Sequence, residues 1–89
     1  MSREELDEAS DLCRRAAAEA TGEARERLYE QSEQLATLAD RDRGPDHGRL
    51  ARHMNALDEL EGEVGGEAAD LVGRARDRVG EYRQGVEGV

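Results

Sequence analysis

The chain reads TGEARERL at residues 21–28 and GGEAADLV at 65–72, so one Gly-Glu-Ala triplet occurs twice, 44 residues apart. Carried along the chain, the same offset sets Ser2 on Asp46, Leu6 on Leu50, Cys13 on Leu57, Leu28 on Val72, Leu35 on Val79 and Leu38 on Tyr82. Caps, apolar seams and glycine breaks recur together although few residues are identical. That pattern describes two helical hairpins, neither of which buries its apolar face alone.

Each hairpin resolves into two helical patterns. The first opens on Ser-Arg-Glu-Glu, residues 2–5, a capping box in which Ser2 and Glu5 satisfy each other's backbone donors. Its seam is Leu6, Ala9, Cys13, Ala16 and Ala20, widened by Leu12 and Ala17, and Thr21 and Gly22 break it. The second pattern, from about Glu23 to Arg41, carries Ala24, Leu28, Gln31, Leu35 and Leu38, with Ala39 alongside. Gly44 and Pro45 then stop the helix, and Asp46 stands at an N-cap position for a third pattern of Leu50, His53, Leu57, Leu60 and Val64. After the Gly65–Gly66 break the fourth runs through Ala68, Val72, Ala75, Val79 and Tyr82, with Leu71 beside it.

The expected fold is all-α: an antiparallel four-helix bundle built from the two hairpins, with helices roughly 27 Å long at 1.5 Å per residue. We expect one domain over residues 1–89, divided into a hairpin at 2–41, a connector at 42–45, a hairpin at 46–84 and a frayed tail at 85–89. A dimer of open hairpins sharing a longer core is the structural alternative. The alanines on the seams bury little, and each CH₂ missing relative to leucine forfeits about 0.8 kcal/mol.

Composition narrows the function. The 89 residues carry a formal charge of -9, which disfavours nucleic acid and anionic membrane as partners, since both are bound through clustered cations. All 13 basic residues are arginine. Without lysine there is no P-loop lysine and no Schiff base. The charged N-terminal stretch MSREELDEAS lacks the apolar core of a signal peptide, and no apolar run approaches the roughly 20 residues of a membrane span. The expectation is a cytoplasmic protein that needs no cofactor.

Few side chains suggest chemistry. His47 and His53 are six residues apart and project to different sides of a helix, and neither is preceded by the Glu-x-x spacing of di-metal bundles. Cys13 and His53 form the one conceivable metal or ligand pair, since the offset sets His53 level with Ala9, one turn from Cys13. The more ordinary reading is a buried, inert thiol and a histidine hydrogen-bonded at the edge of the bundle. Arg41, Arg43, Arg49 and Arg52 cluster around the connector. They form a candidate docking end for an acidic partner, or pair locally with Asp40, Asp42 and Asp46.

The segment DRGPDHGRLARH, residues 42–53, and the acidic, lysine-free composition resemble a group of small acidic helical proteins of haloarchaea with no assigned function. The resemblance implies a salt-accumulating archaeal host and supplies no catalytic or binding residue. What the residues support is a non-enzymatic protein–protein interaction module, docking an unknown protein or a second copy of itself. A metal or small-ligand binder using Cys13 and His53 is the alternative.

Overall fold

The computed structural model describes residues 4–40 and 47–85, and among them all regular structure is helical. Four helices follow one another: α1 (Glu4–Glu19), α2 (Gly22–Ala39), α3 (His47–Glu63) and α4 (Gly66–Gly85). The capping box at Ser2, the connector with Arg41, Arg43 and Pro45, and the cap at Asp46 lie outside the described residues.

The 44-residue offset reappears in the backbone. α1 ends at Glu19 and α3 at Glu63, while α2 and α4 begin at Gly22 and Gly66. The helices break at these two places, as expected, and each glycine is also the first residue of the helix that follows. Only two residues separate the helices of a pair, and reversing the chain so abruptly puts Gly22 at φ 62° and Gly66 at φ 57°, the left-handed region that costs other L-residues about 1–2 kcal/mol. A Cβ at either position would meet no neighbouring atom within 4 Å, so conformation, not space, calls for glycine.

The core is a leucine, valine and alanine interior. Leu6, Leu28, Leu35, Leu50, Leu57, Leu60, Val72 and Val79 are completely buried, each large aliphatic worth about 1.5–3 kcal/mol of transfer free energy. These are seam positions of all four patterns. α1 packs against both α2 and α4, and α4 also packs against α3. α2 and α3 meet far more sparsely, and among the described residues the backbones of α1 and α3 do not approach each other.

Side-chain chemistry explains the unequal packing. The buried face of α1 consists of Leu6, Ala9, Ser10, Leu12, Cys13, Ala16 and Ala17, mostly small residues that let two neighbours approach. Ser10 Oγ donates to the Ser32 carbonyl of α2 at 2.7 Å, and Ser32 Oγ donates to the Tyr29 carbonyl at 2.7 Å, so both buried hydroxyls are satisfied. Between α3 and α4, Asp58 Oδ1 lies 2.6 Å from Arg76 Nε, an ion pair by distance whose N–H is not aimed along the contact. A Cβ built on Gly80 would stand 3.4 Å from Met54 Cε, and one on Gly73 would stand 3.0 Å from the Glu61 carboxylate.

A cleft between the second and third helices as candidate site

Where α2 and α3 fail to close on each other, a cleft of about 480 Å³ opens, lined by Gln31, Glu33, Gln34, Thr37, Leu38, Arg49, Arg52 and His53. α3 supplies its cations. Arg49, Arg52 and His53 lie three and four residues apart, which is the spacing that stacks side chains on one helix face. Arg49 and Arg52 are exposed, and His53 is buried, with 7% of its surface accessible. α2 supplies the opposite wall. Gln31 turns toward the cleft while its neighbour Ser32 takes the fully buried place on the seam.

His53 Nδ1 and Gln31 Oε1 are 2.7 Å apart, and an amide oxygen can only accept, so Nδ1 is the donor. That contact fixes the tautomer of the neutral ring and leaves Nε2 with a lone pair. Burial, and then the Arg49 guanidinium, hold the imidazole pKa below its usual 6.5. The ring is therefore neutral at pH 7. In this chain of net charge -9, the cleft combines two guanidinium groups and a neutral imidazole with one carboxylate, Glu33.

Cys13 lies elsewhere. It is fully buried on α1, and burial pushes its thiol up to about 12 from 9.0, which keeps it protonated and without nucleophilic character. Cys13 is buried on α1, whose backbone does not approach that of α3, and His53 is bonded to Gln31. Among the described residues no group of three or more His, Cys, Asp or Glu side chains is placed to hold a metal ion. Of the four candidate docking arginines, Arg49 and Arg52 share the cleft, while Arg41 and Arg43 lie outside the described residues.

Sequence reasoning missed Gln31 as the partner of His53. Its signal was available: a glutamine interrupting a leucine seam, as His53 interrupts the one on α3. Ion pairing on the same side of the molecule is modest. Arg27 of α2 reaches Glu63 at 3.1 Å and Glu59 at 3.5 Å of α3, both on the surface, where such pairs contribute under about 1 kcal/mol. No helix of the described residues is long and apolar enough to cross a membrane.

The chain belongs to a family of unknown function, DUF7553, whose model matches residues 1–85. No curated protein and no solved structure matches it.

Proposed function

We propose that this member of the family is a non-enzymatic interaction module, an antiparallel four-helix bundle that docks an acidic protein partner along the α2/α3 edge and through the arginine-rich connector that precedes α3 in the sequence. The observation that carries this reading is the unequal packing: α1 is enclosed by α2 and α4, whereas the sparse α2/α3 edge presents Arg49 and Arg52. Sequence adds Arg41 and Arg43 immediately before α3. Cations concentrated on one edge of an acidic molecule steer an acidic partner and orient it.

The antiparallel arrangement is supported by contact pairs that run in opposite senses. Along α3, Met54, Asp58 and Glu61 face Gly80, Arg76 and Gly73 of α4, and Gln31 and Arg27 of α2 face His53 and Glu63. The excess of acid over base and the absence of lysine support a cytoplasmic role in an archaeal cell of high internal salt, where carboxylates keep the surface hydrated. Neither nucleic acid nor membrane is part of this reading.

Recovery of the tagged full chain from its source cells in molar salt, with mass spectrometry of what comes with it, tests the proposal. We expect one stoichiometric protein partner, lost when Arg43 and Arg49 are reversed to Glu. Recovery of the protein alone or as a homo-oligomer, or retention of the partner by the reversed variant, overturns it.

A further inference from the structure

We propose that the α2/α3 cleft is a binding site for a small oxyanion, in which Arg49 and Arg52 supply positive charge and His53 Nε2 donates a proton that it takes up from solvent on binding. This goes beyond the docking reading and does not depend on it, because the site would bind a free ion in the purified protein.

Geometry carries the inference. His53 already donates from Nδ1 to Gln31, so a proton added to Nε2 converts the ring, which lines the cleft beside Arg49 and Arg52, to a cation with a second N–H. Nothing has to rearrange on the Gln31 side. With the ring neutral, the cleft offers an anion two guanidinium groups but an acceptor at Nε2; with it protonated, all three groups of α3 are donors. An oxyanion is the ligand that rewards that change, since charge-assisted hydrogen bonds to it are about twice as strong as neutral ones.

Arg49 of α3 opposes protonation of His53, and Arg52 of α3 and Glu33 of α2 line the same cleft. α4 lies across a separate groove at Met54, with Arg76, Asp77, Glu81 and Arg83 along it. The backbone of α1 does not approach that of α3. Burial first, and then Arg49, keep the ring neutral; an anion seated against Arg49 and Arg52 offsets the Arg49 repulsion and pairs with the cationic ring, which is why binding and protonation are linked.

The test uses the full-length chain with His47→Gln, which leaves His53 as the single histidine, and follows its Cε1–H resonance by NMR. Sodium sulfate, which does not titrate between pH 6 and 8, is the probe, with sodium chloride of equal ionic strength as control. We expect a saturable shift and an affinity that rises, by up to about tenfold, as pH falls from 8 to 7, tenfold being the limit of one proton taken up per ligand. Arg49→Gln/Arg52→Gln should remove the saturable shift, with circular dichroism confirming the fold, and Arg52→Gln alone should weaken it if the double variant does not fold. Sodium acetate separates the sources. Binding of both ions assigns the site to any oxyanion, a partner's carboxylate included, and binding of sulfate alone assigns it to tetrahedral oxyanions such as phosphate groups. A shift that follows chloride equally, an affinity independent of pH between 7 and 8, or a shift unchanged in the arginine variants overturns the proposal.

Discussion

α1 and α3 occupy equivalent places in the repeat and play different parts in the bundle. Where α1 has Ala9, Ser10, Cys13, Ala16 and Ala17, α3 has His53, Met54, Leu57, Leu60 and Glu61. All five α1 residues are buried, whereas on α3 only His53, Leu57 and Leu60 are. Small side chains let α1 take a neighbour on each flank. Long ones hold α3 against α4 and leave its other flank open toward α2. A sequence repeat can therefore keep its helices, turns and leucines while one copy becomes the spine and the other the rim. The two copies differ in the side chains beside the seam: on the open flank of α3 these are Arg49, Arg52 and His53, and that edge is the one left available for binding.

That account can be broken most forcefully at Leu60, the repeat partner of Ala16. Leu60→Ala should cost about 2–5 kcal/mol by urea unfolding, because it opens a cavity at a completely buried position. The reciprocal Ala16→Leu should cost about 1–3 kcal/mol by overpacking α1 between its two neighbours. If Ala16→Leu instead stabilised the protein, the enclosure of α1 would be wrong. Gly22→Ala and Gly66→Ala, at the two equivalent turns, should each lower stability by about 1–2 kcal/mol and by similar amounts, since both hold left-handed backbone. Clearly unequal losses would show that the repeat is not matched at its turns.

Ser10→Ala sharpens the comparison on the closed edge, with an expected loss of about 1 kcal/mol. The Ser32 carbonyl keeps its helical partner, so only the net value of one hydrogen bond is forfeited. The smallest effect concerns the open edge. His53 is held neutral when folded, while the unfolded chain takes up its proton near 6.5, so its contribution to stability is present above pH 6.5 and is lost as pH falls from there through the lowered folded value. His53→Gln should flatten the decline in urea midpoint between pH 7 and 5.5. A decline identical to the parent's would remove His53 from the pH response.

The four helices were legible in the sequence because leucine, valine and alanine recur at three- and four-residue steps, and the breaks because Thr21–Gly22 and Gly65–Gly66 interrupt them at one offset. Ser10 and Ser32 were not legible as core. A hydroxyl looks like surface until a carbonyl on a neighbouring helix is known to meet it. The cleft was half legible: Arg49, Arg52 and His53 stand out on α3, but their opposite wall, Gln31 to Leu38, depends on how far apart two helices settle, and sequence spacing along each helix says nothing of that distance.

Native-state hydrogen exchange tests the division between spine and rim most directly, because it reads the opening free energy of each helix in the intact protein. The account predicts that amides of Ala9–Ala17 on α1 exchange only through global unfolding, with the full denaturant dependence, while those of Leu50–His53 on α3 exchange through a smaller opening of lower free energy. Equal protection of the two segments, or earlier exchange in α1, would contradict it.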